Sequence, residues 1–429
     1  MTTTRGLLPA LVLGLSLVLG AASARAADSV AHLKAAARHP PSDPVKALEL
    51  GRSLGRAGLH SQALRVLRHG YFRAGKHKAT AIQLRLQAAR MLIADRKQKA
   101  ALRECRGLRS LSPVKADACI AEAQLLWRRA SLALPAAERA LSKSPHDYDA
   151  LVAKGRALEQ IGKPSGAQAA FRAAIAADGS RYEAHRYLAA LLYEGGGKKA
   201  GLAELRTAAR LGPDEPSLLV QLASQLPAGK EAEALLRHAL SLRPDFGAAL
   251  ARLGENQLEQ GQLAQAAASL KRALTIDPKQ ADWHADLGRV LLAQGDADKA
   301  LAEAKQALSV VHNHAAGKLL EADALAARGD IDPAIEAYEK AHALSRTSPE
   351  ALVHAARACL HGARPTTAHA FATRATQDFP DWAPGWEALG DVLVAGRESP
   401  AARDAYKKAL KAQGPVDRKG IQKKLARIR

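Results

Sequence analysis

Residues 247–278 read GAALARLGENQLEQGQLAQAAASLKRALTIDP, and this stretch decides the fold of the chain. Leu250, Leu253 and Gln257 have the spacing that places side chains on one face of a helix. Gly261 follows at a point where the helix must stop and reverse, because glycine adopts left-handed dihedral angles without a Cβ clash. A second apolar stripe then runs to the final proline, which has no N–H with which to continue a helix. The stretch therefore predicts two antiparallel helices joined by a tight turn.

The pattern returns along the chain every 34 residues, which is the spacing from Gly261 to Gly295 and from Gly295 to Gly329. One glycine series and two alanine series keep this step: Gly261, Gly295 and Gly329; Ala232, Ala266, Ala300, Ala334, Ala368 and Ala402; Ala239, Ala273, Ala307, Ala341, Ala375 and Ala409. Small side chains at fixed places allow helix backbones to approach closely. A fixed period of this length is typical of stacked helix pairs. We place about eleven units, which begin near residues 44, 80, 114, 148, 182, 215, 247, 281, 315, 349 and 383.

The unit resembles the tetratricopeptide repeat, whose signature is a tryptophan, a Leu-Gly pair and then spaced small and aromatic residues. One close copy consists of Trp386, Leu389, Gly390, Ala402, Tyr406 and Ala409. The resemblance implies an all-α, right-handed superhelical solenoid whose inner helices line a concave groove for segments of other proteins. It covers residues 44–416, between an N-terminal segment (27–43) and a basic C-terminal tail (417–429). The first two units lack most signature residues and have irregular spacing.

Residues 1–26 have the pattern of a signal peptide. Arg5 gives a positive start, residues 7–20 form an apolar run too short to span a membrane comfortably, and Ala24 and Ala26 flank a cleavage point. We expect cleavage near Ala26 and export to the periplasm of a bacterium or secretion. An uncleaved anchor is the alternative.

The composition excludes several kinds of site. Three cysteines among 429 residues exclude a disulfide-dense scaffold and a Cys₄ zinc site. Cys105 and Cys119 fall on neighbouring helices that should touch, so an oxidising compartment could join them, and the sequence leaves this open. No nucleophile elbow, phosphate-binding loop or dinucleotide fingerprint occurs. We therefore expect no enzyme activity, catalytic residue, cofactor or metal.

Positive charge is concentrated at the two ends of the chain. Residues 27–130 carry 21 basic and 7 acidic side chains, and residues 403–429 carry 10 and 2, whereas residues 131–402 carry 30 and 33. This pattern indicates either two solvated ends or attraction to an acidic partner, such as anionic polysaccharide or lipid headgroups. Nucleic acid would fit the charge, but the export signal argues against it.

The resemblance also implies which side chains face the groove, because the second, fifth, ninth, twelfth and thirteenth places in each unit of this class tend to point inward. In this chain those places give the predicted partner-binding residues Arg52, Arg56, Lys115, Arg156, Arg186, Tyr193, Glu255, Glu259, Asp282, Asp323, Glu387 and Asp391. The family's Lys/Asn clamp for a C-terminal carboxylate is not reproduced. The hypothesis is an exported scaffold or adaptor for assembly of envelope complexes, whose groove orients the acidic end of a partner toward the arginines and its basic end toward the carboxylates. The alternatives are binding of an anionic envelope polymer and, for the charges, no binding role.

Overall fold

The computed structural model describes residues 30–428, and the expected signal peptide with its cleavage point lies outside the described residues. Throughout the described range the regular structure is α-helical, with a single isolated bridge between Trp382 and Gln413 and no strand. None of the described helices is long and apolar enough to cross a membrane.

A first helix, α1 (residues 30–38), precedes eleven antiparallel helix pairs, and α24 follows them. The bounds of the paired helices are α2 Pro44–Arg56 and α3 His60–Arg73; α4 Lys78–Ala94 and α5 Gln98–Arg106; α6 Pro113–Leu125 and α7 Ala130–Lys143; α8 Tyr148–Gln160 and α9 Pro164–Ala177; α10 Tyr182–Glu194 and α11 Lys198–Leu211; α12 Pro216–Ser224 and α13 Lys230–Leu242; α14 Gly247–Glu259 and α15 Leu263–Ile276; α16 Ala281–Ala293 and α17 Ala297–Val310; α18 Ala315–Arg328 and α19 Ile331–Leu344; α20 Glu350–His361 and α21 Pro365–Asp378; α22 Ala383–Ala395 and α23 Ser399–Lys411. The last helix, α24, covers Arg418–Arg427.

The all-α fold of about eleven repeated pairs is confirmed. Each first helix begins within two residues of the predicted start of its unit, and the largest difference is at α4, which begins at Lys78 instead of residue 80. The pairs reverse direction where the sequence places glycine, since Gly261, Gly295 and Gly329 have φ angles of 72°, 84° and 88°.

Small residues allow the two helices of a pair to cross closely. A Cβ on Gly254 would lie 2.6 Å from Leu270 Cγ of the partner helix, and one on Gly390 would lie 2.5 Å from a ring carbon of Tyr406. The alanine series that includes Ala300 is buried along its whole length. The constant spacing of these residues therefore marks the positions where helices touch.

The described chain divides into two compact units, one ending at Ala249 and the other beginning at Leu250. In the first, a disulfide joins Cys105 of α5 to Cys119 of α6, with the Cα atoms 5.3 Å apart. In the second, the expected basic tail is mostly the helix α24, which buries Ile421 against the last pair. Cys359 is a buried free thiol.

Candidate binding cavity in the first unit

The first unit contains a partly open cavity of about 480 Å³. It forms because the sixth helix pair returns to the first: Arg243 Nε lies 3.2 Å from the place that a Cβ on Gly58 would occupy. The wall is built mainly from the first helices of the pairs, with residues from α2, α4, α6, α8, α10 and the start of α12. The inner helices of successive pairs thus face one shared space.

The cavity wall is rich in charge. Seven arginines and four carboxylates line it, together with His60 and three tyrosines, Tyr148, Tyr182 and Tyr187. Arginine presents a planar set of donors that matches carboxylate and phosphate oxygens, and it also stacks on aromatic rings. The excess of arginine over carboxylate makes the cavity suited to an anion.

Asp149 neutralises one part of this wall. Its carboxylate accepts hydrogen bonds from Arg90 Nη2 at 3.2 Å, Arg181 Nη2 at 2.8 Å and Lys115 Nζ at 2.7 Å. Burial alone would raise the pKa of Asp149, but the three cations outweigh burial and hold that pKa well below its usual range. The same carboxylate therefore ties together cations from three different helix pairs.

Four other arginines of the wall have no such partner. Within residues 30–428, no carboxylate oxygen lies within 4.0 Å of the guanidinium nitrogens of these four side chains, which are Arg52, Arg56, Arg156 and Arg186. Arg186 Nε is buried and makes no hydrogen bond to any described residue. Arg243 also has no ion pair within the same range, but its guanidinium lies 4.3 Å from the centre of the Phe246 ring.

One aromatic ring positions two of the unpaired arginines. The guanidinium carbons of Arg156 and Arg186 lie 4.9 Å and 4.4 Å from the centre of the Tyr187 ring. That ring in turn stacks on Phe171, with the ring centres 5.6 Å apart. Cation–π contacts of this kind hold a guanidinium in place without neutralising its charge.

The predicted basic residues divide into two groups. Arg52, Arg56, Arg156 and Arg186 line the cavity. Lys115 is not part of the wall, because Asp147 and Asp149 hold its ammonium at 2.8 Å and 2.7 Å.

Tyr193 also lies away from the cavity. Its ring packs against Gly201 of the partner helix α11, where a Cβ on that glycine would lie 2.9 Å from the ring. Its hydroxyl is buried, and no described residue offers it a hydrogen bond. The position is near the end of α10, where the side chain turns toward the second helix of its own pair.

Sequence reasoning missed Arg90 and Arg181. Arg90 is the thirteenth residue of its unit when the unit is counted from Lys78, an inward place, but it is the eleventh when counted from residue 80. The two-residue error in phase therefore hid it. Arg181 precedes α10 and belongs to no inward place, so no repeat-based signal could have found it.

The predicted carboxylates lie in the second unit, and most of them have partners within the chain. Lys424 Nζ of α24 donates to Glu387 at 2.9 Å and to Asp391 at 2.8 Å. Asp323 accepts from the Tyr338 hydroxyl at 2.7 Å and contacts His354 Nδ1 at 2.9 Å.

The remaining carboxylates of this set are less enclosed. Asp282, whose side chain is 82% exposed, pairs with His314, and Glu259 is exposed. Glu255 pairs with Arg252. Burial, followed by the charge of Glu255, raises the pKa of Asp286 to about 6.

The residues that the structure describes offer no metal centre, since no three His, Cys, Asp or Glu side chains among them lie close enough to hold an ion. The arginines of the cavity wall can recognise an anion through charge-assisted hydrogen bonds.

Comparison with known proteins gives matches to repeats. One family model, described as tetratricopeptide repeat, matches residues 257–324 and 325–392. A second model with the same description matches residues 121–167, 152–216 and 230–281. Together the matches span more than half of the chain. No curated protein matches.

Two solved structures are similar to this chain over long stretches. Yeast Tom70 is 12% identical, with 89% of this chain and 95% of that chain covered and a TM-score of 0.48. A tetratricopeptide repeat protein from Parabacteroides merdae ATCC 43184 is 17% identical, with 57% of this chain and 97% of that chain covered and a TM-score of 0.49.

Proposed function

The chain belongs to the tetratricopeptide repeat family, and we propose that it is a non-catalytic adaptor that binds partner proteins through the inner helices of its repeats. The observation that carries the proposal is the group of four arginines, Arg52, Arg56, Arg156 and Arg186, that face one cavity without a carboxylate partner among the described residues. An acidic segment of a partner would supply the missing counter-charges. Charge complementarity of this kind gives specificity and speeds association.

The first unit is the proposed docking site for that acidic segment. The carboxylates of the second unit are weaker candidates for binding a basic segment, because Glu387 and Asp391 already form ion pairs with Lys424. Asp282 and Glu259 remain accessible on that unit. We therefore propose that an acidic segment of the partner binds the arginines of the first unit. A basic segment makes a secondary contact with the exposed carboxylates of the second unit.

The adaptor is proposed to work outside the cytoplasm, in assembly of complexes in the cell envelope of a bacterium. Two observations support this location. Residues 1–26 have the pattern of a cleavable signal peptide. The Cys105–Cys119 disulfide is of a kind that persists in oxidising compartments and is rare in the cytosol.

Charge reversal tests the docking proposal. The tagged protein is crosslinked in its native envelope, and captured proteins are identified by mass spectrometry. Arg156→Glu combined with Arg186→Glu should abolish capture of the main partner, because it places negative charge where the acidic segment binds. Helicity and the melting temperature should be unchanged.

The matched control is Arg172→Glu combined with Arg210→Glu, since both are exposed arginines on second helices of pairs in the same unit. This control should capture the partner as the wild type does. Equal loss from both double variants would contradict docking at the cavity.

Salt separates the adaptor from the second function raised by the sequence, binding of anionic polysaccharide or lipid headgroups through the basic ends. Raising the salt from about 0.1 M to about 1 M shortens the Debye length from about 10 Å to about 3 Å. Polymer binding through the exposed charges of the basic ends should collapse under this change, whereas docking at the partly buried Arg56, Arg156 and Arg186 should weaken much less.

A further inference from the structure

Four arginines of the cavity wall, Arg52, Arg56, Arg156 and Arg186, form two pairs of like charge. Arg52 and Arg56 are four residues apart on α2, which makes them neighbours on one helix face. Arg156 of α8 and Arg186 of α10 both lie against the Tyr187 ring. Two guanidiniums held near each other without an anion repel, so each pair is a place where an anionic group would be stabilised.

Burial adds to this repulsion. The pKa of Arg52 is lowered, first by partial burial and then by the charges of Arg90 and Arg56, while the charge of Glu49 opposes the change. An anion bound beside Arg52 would relieve both effects.

The carboxylates of the wall do not balance these four charges. Three of them already form ion pairs with other arginines: Asp149 and Glu122 pair with Arg90, and Glu183 pairs with Arg181. Glu215 is the fourth, and burial raises its pKa while Arg56 opposes that rise. Of the wall's own carboxylates, Glu215 is thus left for five arginines, the four above and Arg243. Outside the wall, Glu49 lies near Arg52 and Glu159 lies near Arg156.

The volume of the cavity also suits a small molecule. A volume of about 480 Å³ lies within the usual range of small-molecule sites, about 300–1,000 Å³. The return of the sixth pair to the first closes one side, as the approach of Arg243 to Gly58 shows. Tyr187 is fixed by its stack on Phe171, so the arginines that it supports are already positioned before a ligand enters.

We propose that this cavity binds a small soluble molecule with two phosphate or carboxylate groups, one held by Arg52 and Arg56 and the other by Arg156 and Arg186. Arginine forks bind either group through paired charge-assisted hydrogen bonds. Tyr148, Tyr182 and Tyr187 also line the cavity, and the rings of Tyr148 and Tyr187 hold neighbouring side chains of the wall in place. This ligand site goes beyond the adaptor role, since the ligand would bind in the absence of a partner protein.

Isothermal titration of the purified protein tests the proposal with two probes, inorganic pyrophosphate and citrate, and with acetate as a single-group control at equal ionic strength. We expect one saturable site per chain for at least one probe, and no saturable binding of acetate. The melting temperature should rise with the concentration of the bound probe, because a ligand that binds only the folded state stabilises it. Failure of both probes to bind or to raise the melting temperature would overturn the proposal, and this readout needs no variant.

Substitutions locate the site. Arg52→Gln with Arg56→Gln, and separately Arg156→Gln with Arg186→Gln, should each weaken the affinity for the bound probe by about tenfold or more, since each removes charge-assisted hydrogen bonds. Arg172→Gln with Arg210→Gln should leave the affinity unchanged. Circular dichroism confirms that the variants are folded. An effect of only one of the cavity pairs, or an equal effect of the control, would contradict a two-group ligand.

The outcome also distinguishes this site from the adaptor role. An acidic peptide such as hexaglutamate is titrated beside the probes. If the peptide binds through the same arginines and neither probe does, the cavity takes a partner's segment, which overturns the small-molecule proposal and supports the adaptor. If a probe binds while the charge-reversed protein still captures its partner, the ligand site stands and the docking site lies elsewhere.

Discussion

Asp149 illustrates how one buried carboxylate can organise a charged wall. It is the second residue of α8, an inward place of the repeat, and it binds Arg90, Arg181 and Lys115 from neighbouring pairs. Its side chain is only 16% exposed, so solvent screens these contacts weakly. Removing such a charge leaves its partners without compensation, which is the costly way to break a buried ion pair.

Asp149→Asn should therefore lower the free energy of unfolding by about 3–5 kcal/mol, the usual cost of breaking a buried pair. Denaturant unfolding followed by circular dichroism measures the change. The control is Glu231→Gln in the same unit, because its side chain is 62% exposed and pairs with Arg206. An exposed pair contributes about 0–1 kcal/mol. Similar losses from the two variants would show that Asp149 is not a structural centre of the wall.

The contribution of Asp149 should also depend on pH in one direction. Folding lowers its pKa, so its stabilising effect is complete above its unfolded pKa of about 4 and is lost as pH falls toward the folded value. The stability difference between the wild type and Asp149→Asn should accordingly be full at about pH 7 and shrink below about pH 4. A difference that widens in acid would contradict the lowered pKa.

The helix pairs depend on small residues at the points where helices cross. Ala300 on α17 is fully buried and belongs to the alanine series that runs from Ala232 to Ala402. Its position leaves no room for a longer side chain, because packing in such contacts is as dense as in a crystal.

Ala300→Arg should force the helices of its pair apart and lower the free energy of unfolding by about 1–3 kcal/mol or more. Ala302→Arg is the matched control, since Ala302 lies exposed on the same helix. A surface substitution of this kind changes stability by about 0.5 kcal/mol or less. Thermal melts of the two variants measure the difference, and coincident melts would count against the crossing point.

The first unit shows how pairs that are far apart in sequence come together. Gly58 and Arg243 approach each other although one belongs to the first helix pair and the other follows the sixth. Each pair contacts mainly its neighbours, and the small rotation from one pair to the next accumulates along an array. The cavity is the result of that accumulation within the first unit.

Export can be tested on the complete protein. Protein recovered from the periplasm should begin at Ala27, and its unreduced peptides should contain the Cys105–Cys119 disulfide, both measured by mass spectrometry. Leu13→Arg should block export, because it interrupts the apolar run of the signal peptide. Thr3→Arg, which adds the same charge outside that run, should be exported normally. Cytoplasmic accumulation of the unaltered precursor would contradict the proposed location.

The helix pairs could be read from the amino-acid sequence because their signals are local and repeated. Gly254 and Ala266 mark the point where the two helices of one unit cross, and Gly261 marks the turn between them. The constant period repeats these positions along the chain. Stacked repeats need only nearest-neighbour contacts, so a local pattern is sufficient to specify them. Where the signature residues are sparse, as at α4, the predicted start is displaced by two residues.

The composition of the cavity depended on the tertiary structure. Inward places of the repeat gave Arg52, Arg56, Arg156 and Arg186, but which cations remain unpaired depends on contacts between different pairs. Lys115 of the third pair is neutralised by Asp149 of the fourth pair and by Asp147, which lies just before that pair. Arg181, which lies before the fifth pair, contacts the same Asp149. The period specifies which face a side chain occupies, whereas its counter-charges and the closure of the cavity follow from the accumulated geometry of six pairs, which no single repeat contains.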